Sequence, residues 1–160
     1  MKYKIARTIW TMALSVALVM ASAGGCSPAP SHSAYRPIHG YARSGDIAHV
    51  TEDLAQNPGD LNLPDDSGLT PLHLAASYCH VDVVTLLLNK GAKINVTSDD
   101  GATPLHLAAQ EGCADVVNLL LERGAEVNVR DKQNRTPLGR AMQWHQAAMV
   151  QLIRQHGGTD

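Results

Sequence analysis

Eight histidines, three cysteines and two adjacent aspartate pairs are the side chains of this 160-residue chain with the clearest capacity for chemistry. A helical zinc site needs His at i and i+4, and a metalloprotease needs H-E-x-x-H. His49, His80, His145 and His156 show neither spacing, and His39, His73 and His106 recur too regularly to close one cage. Nucleophilic catalysis would draw on Ser67, Ser77, Cys79 or Cys113. None of these serines lies in G-x-S-x-G, neither cysteine has a local catalytic signature, and no glycine-rich phosphate loop occurs. Asp65-Asp66 and Asp99-Asp100 could be paired carboxylates or calcium ligands. Aspartate at a turn satisfies its own backbone, so turn chemistry and surface charge are the reading taken for both pairs. No catalytic residue, metal ligand or cofactor is assigned, and the chain reads as a non-enzyme.

The surroundings of these residues narrow the partner. Apolar residues make up 44% and charged residues 18%, with no Phe, so the core must be built from Leu, Val, Ile and Ala. That excludes disorder and an aromatic-rich β-sandwich. From Cys26 onward ten Lys and Arg face fifteen Asp and Glu. So acidic a region repels phosphate backbones, so nucleic acid is not expected as a partner.

The first 25 residues carry Lys2, Lys4 and Arg7, an uncharged run from Ile9 to Ala21, and then small residues. This is the order of an export signal, and the run is shorter than the ~20 residues of a spanning helix. Two cleavage sites compete. Ala21-Ser22-Ala23 suits an A-x-A cut that releases a soluble periplasmic protein. Ala23-Gly24-Gly25-Cys26 resembles the lipobox of bacterial lipoproteins, with Ala23 departing from the commoner Leu. The second is favoured, because Ser27-Pro28-Ala29-Pro30-Ser31-His32-Ser33 reads as the tether of an anchored domain. Cys26 is then the lipidated residue, and membrane attachment runs through that lipid only. The expected divisions are a signal peptide over 1–25, a lipidated Cys and tether over 26–34, and a folded domain over 35–160. Ser27 after the Cys points to an outer-membrane lipoprotein facing the periplasm.

The folded domain repeats itself. Thr70-Pro71-Leu72-His73-Leu74-Ala75-Ala76 recurs at Thr103 to Ala109, and Thr136-Pro137-Leu138 opens a third copy, each 33 residues on. Residues 70–102 and 103–135 are identical at 17 of 33 positions. Each Thr is placed to cap a helix that begins at the following Pro. A second helix, with Asp82 in its first turn and Gly91 past its end, follows Cys79-His80. Turns such as Asn62 to Gly68 project between repeats as fingers, with Gly68, Gly101 and Asn134 at positions needing positive φ. In the last copy Gly139 replaces the His and Arg140 an apolar Leu, substitutions that suit a terminal repeat turning polar residues to water.

The T-P-L-H-x-A-A, V-V-x-L-L-L, G-A and V-N elements resemble the ankyrin repeat. The resemblance implies an all-α solenoid of about four helix-turn-helix repeats with β-turn fingers, over approximately 35–69, 70–102, 103–135 and 136–160. It further implies a monomer that binds another protein through a concave face of fingers and first helices. The family's contact positions fall on Asp66, Ser67, Leu69, Asp99, Asp100, Ala102, Lys132, Gln133 and Arg135 of the fingers. On the first helices they fall on Arg43, Ser44, Ser77, Tyr78, Gln110, Glu111, Gln143 and Trp144. Tyr78 and Trp144 are the expected hot spots, Trp144 having the alternative of covering the last repeat's apolar edge. Charge divides along the array: residues 46–115 hold eleven acids and two bases, residues 116–160 four acids and six bases. Immunity or stress protection, by binding an exported enzyme, is the alternative function, and a purely structural envelope lipoprotein is a third. Cys79 and Cys113 lie one repeat plus one residue apart. A disulfide there competes with two free thiols, since repeats stack at ~10 Å and bridged Cα atoms must come within ~7 Å.

Overall fold

Four helix pairs follow one another in the computed structural model, which describes residues 37–160. The leader, Cys26 and the tether lie outside the described residues. The pairs are α1 (Pro37–Ser44) with α2 (Ile47–Gln56), α3 (Pro71–Ser77) with α4 (Val81–Asn89), α5 (Pro104–Glu111) with α6 (Ala114–Glu122), and α7 (Pro137–Gln143) with α8 (Ala147–Gln155). A short 3-10 turn, Pro58–Asn62, follows α2. First helices stack on first helices and second helices on second. The expected all-helical solenoid is what forms.

The stacking follows from which residues repeat. Ile38, Leu72, Leu105 and Leu138 are all buried in the first-helix layer. Val83, Val116 and Met149, with Leu87, Leu120 and Ile153, form the equivalent second-helix layer. Each such Leu or Ile side chain contributes roughly 1.5–3 kcal/mol by leaving water. Ala42, Ala76 and Ala109 are fully buried where successive first helices meet, and their single methyl groups let the backbones approach.

Two polar ladders lock the layers in register. His73 Nδ1 accepts the Thr70 N–H at 3.1 Å, and its Nε2 donates to the carbonyl of Ala102 in the next finger at 2.9 Å. His106 repeats this with Thr103 and Arg135 at 3.1 Å each, and His39 Nε2 reaches Leu63 O at 2.9 Å. Each of these histidines thus ties its first helix to the finger that leads into the following repeat. Burial holds the His73 and His106 imidazoles at about 4, well below the ordinary 6.5. The second ladder is of asparagines: Asn62, Asn95 and Asn128 accept the backbone N–H of Lys93, Glu126 and Thr159 at 2.8, 3.0 and 2.8 Å.

Gly45, Cys79, Gly112 and His145 turn the corner between the helices of each pair, all with positive φ. The stack brings each corner against the residue that precedes the second helix of the following repeat. A Cβ on Gly45 would meet His80, and one on Gly112 would meet Gln146. At the middle interface the same register joins Cys79 to Cys113 in a disulfide with Cα atoms 5.1 Å apart. The ~10 Å spacing of packed helices does not govern this distance, because the loops at the corner approach more closely than the helix axes.

Arg140 departs from the expectation of a water-facing cap. It is only 6% exposed and occupies the layer position of Leu74 and Leu107. Its guanidinium is turned inward because the buried carboxylate of Asp131 receives it, Nε to Oδ2 at 2.9 Å.

Candidate protein-binding face

The fingers are rigid because their backbones are internally satisfied. Asp65 Oδ1 accepts the N–H groups of Ser67 and Leu69, both at 2.9 Å, and Asp131 Oδ1 does the same for Gln133 and Arg135. Ser98 takes the equivalent role in the middle finger, its Oγ 3.3 Å from the Ala102 N–H. Neighbouring fingers then join edge to edge, Asp99 N–H to Ser67 O at 3.0 Å and Lys132 N–H to Asp100 O at 2.9 Å. One aspartate of the first pair is therefore turn chemistry, as expected, while Asp66, Asp99 and Asp100 stand exposed on the finger tips.

Of the contact positions carried over from the resemblance, Ser67, Lys132, Gln133, Glu111, Gln143, Arg43 and Ser44 are also exposed. Ser77, Gln110 and Arg135 are half-buried, and Leu69 is half-buried with its side chain packed on the core. Ala102 is a correction. It is 2% exposed, its carbonyl is held by His73, and its methyl has no access to a partner.

Both aromatic positions are exposed. Tyr78 is 45% exposed and Trp144 56% exposed, beside Met142 in the last repeat. The Arg43 guanidinium lies 5.0 Å from the Tyr78 ring centroid, and the His80 ring runs nearly parallel to Tyr78 at 6.4 Å. His80 is itself fixed, Nε2 to Arg43 O at 2.9 Å. Tyr78 therefore has its side chain already positioned, and binding through it loses little rotamer entropy.

At the other end of the face, Asp131 gathers charge that its isolated position in the sequence does not advertise. Arg135 Nε and Arg140 Nε both donate to its Oδ2 at 2.9 Å. Burial pushes the carboxyl up, but the Arg135 backbone N–H and the two guanidinium groups outweigh it and hold it at about 2. The signal was present in the 33-residue register, where Asp131 follows Asp65 and Ser98, and Arg135 and Arg140 stand in for apolar residues.

Among the described residues no three His, Cys, Asp or Glu side chains converge as a metal site would require. No helix among them is long and apolar enough to cross a membrane.

Comparison with known proteins gives the repeats their family. The chain is 44% identical over 55 residues to the Transient receptor potential cation channel subfamily A member 1 homolog of Caenorhabditis elegans. That match covers 34% of this chain and 4% of the relative. So short an overlap speaks for a shared segment and leaves the channel's activity with the channel. Ankyrin repeats match in three copies over residues 38–131, more than half of the chain, and with the helix pairs, histidine bridges and fingers in place the chain belongs to the ankyrin repeat family.

Proposed function

We propose that this chain is a non-enzymatic binding module of the cell envelope, which holds a partner protein on the concave face made by its fingers and first helices. The observation that carries this reading is Tyr78, large, half-exposed and pre-ordered by Arg43 and His80 on a face whose other exposed residues do no core work. Burying such an aromatic in a partner's pocket is the usual source of hot-spot energy. Export is supported by the Cys79–Cys113 disulfide, since such bonds persist in oxidising compartments. Anchoring through a lipid on Cys26, at the periplasmic side of the outer membrane, completes the proposal.

Affinity capture from envelope extracts tests it. The wild type retains a discrete partner. Tyr78→Ala speeds dissociation at a cost of roughly 2 kcal/mol or more, and reversing Asp99 and Asp100 to Lys slows association. If both variants capture as the wild type does, the face is wrongly assigned. Labelling with an acyl-chain analogue is expected to mark the wild type and to spare Cys26→Ser. A soluble, unlabelled wild type beginning at Gly24 refutes the anchor.

A further inference from the structure

We propose that the corner where the Asp131 to Arg135 finger meets α5 and α7 is a carboxylate-recognition subsite, and that it takes an acidic segment of the protein partner. The inference rests on the binding-face reading above and adds the partner's chemistry at one end of that face.

Its basis is the orientation of three glutamines. Gln143 Oε1 accepts from Arg135 Nη1 at 2.9 Å, Gln133 Oε1 from Arg135 Nη2 at 2.8 Å, and Gln110 Oε1 from Arg140 Nη1 at 3.2 Å. An amide whose oxygen is committed to a guanidinium presents its NH2 group as the remaining polar function. Arg135 and Arg140 are held in turn by Asp131, so the array is fixed before any ligand arrives. At Gln133 and Gln143 the amide group not already engaged is the NH2 donor, a match for an oxygen anion. A carboxylate is already received at the third glutamine: Gln110 Nε2 donates to Glu111 Oε1 at 2.9 Å.

The charge is suited to one carboxylate. Arg135 and Arg140 share the one carboxylate of Asp131, which leaves a single positive charge at the joint, with Glu111 the neighbouring acid that now competes for it. Earlier repeats carry no counterpart, since Leu69 and Ala102 stand where Arg135 does, and Leu74 and Leu107 where Arg140 does. The subsite therefore gives the face a direction, fixing which end of a partner segment carries the acid.

The test follows the side-chain NH2 signals of Gln133 and Gln143 by NMR in the full chain. A synthetic glutamate-rich peptide is titrated in, with its glutamine isostere, its lysine counterpart and inorganic phosphate in parallel. The glutamate peptide is expected to shift these signals saturably while the other three do not. Arg135→Gln and the exposed Gln143→Leu should each weaken binding by about tenfold, the worth of a charge-assisted hydrogen bond. Glu111→Gln should strengthen it, by removing the carboxylate that now competes. Equal shifts from the glutamine peptide or from phosphate, or titrations unchanged in all three variants, overturn the subsite. In the capture experiment, a partner lost with Tyr78→Ala but retained with Arg135→Gln and Gln143→Leu together also overturns it, and leaves the wider binding face standing.

Discussion

His145 holds a left-handed corner, φ 57°, that Gly45 and Gly112 hold in other repeats. A side chain with a Cβ is disfavoured there by about 1 kcal/mol. His145→Gly is accordingly expected to stabilise the fold by roughly 0.5–1 kcal/mol, read as a raised urea midpoint at unchanged slope. An unchanged midpoint would mean that the exposed imidazole makes up the difference. The buried histidines bear on pH. His73 and His106 titrate at about 4 when folded and near 6.5 when unfolded. Between those values the unfolded chain binds more protons, so their contribution is complete above pH 6.5 and is lost as pH falls towards 4. Each is worth on the order of a few kcal/mol, and the fall belongs above the range where Asp131, at about 2, takes up its proton. Urea unfolding across pH 7.5 to 4 checks this; a flat profile between 6.5 and 4 refutes the assignment.

The last finger and the last helix pair are joined by charge where the earlier ones are joined by apolar contact. Asp131 is the centre of that joint, so Asp131→Ala leaves the buried Arg140 and the half-buried Arg135 without their anion. A loss of about 3 kcal/mol or more is expected on chemical unfolding. Replacing the whole joint by the residues of the preceding repeat, Asp131→Ser with Arg135→Ala and Arg140→Leu, should cost far less, because no charge is then buried alone. Should the triple variant be as unstable as the single one, desolvated charge is not the cause. The same triple variant removes the carboxylate subsite while the helix pairs remain, which separates stability from recognition.

For the molecule as a whole, the disulfide adds a covalent long-range constraint to the packing and the hydrogen-bond ladders. It closes a loop of 34 residues' separation between the second and third repeats. In the chain-entropy account such a closure contributes roughly 3 to 4 kcal/mol. Reduction is expected to lower the unfolding midpoint by a corresponding amount without removing the helices, as followed by circular dichroism. Non-reducing mass spectrometry of envelope-purified protein should return the 79-to-113 linked peptide, whereas quantitative alkylation of both thiols without reductant excludes the bridge in the cell. The effect of reduction on partner capture is a separate measurement, because the bridge lies at the corner next to Tyr78 and not among the fingers.

The 33-residue period, the Thr-Pro helix starts and the repeated Leu, Val and Ala positions were enough to lay out the helix pairs, because each repeat is a local unit whose caps and apolar face lie within its own residues. The finger turns were legible for the same reason, with Gly68, Gly101 and Asn134 recurring at fixed offsets. Three things were decided only by stacking. Arg140 looks like a surface residue in sequence and is buried because Asp131 lies beside it in space. Ala102 looks like a finger contact and is covered because the neighbouring histidine draws its carbonyl inward. Whether Cys79 and Cys113 could meet was open, since helix spacing argued against it. The answer depended on loop corners whose approach is set by the packing of two whole repeats, a distance that no local pattern of residues records.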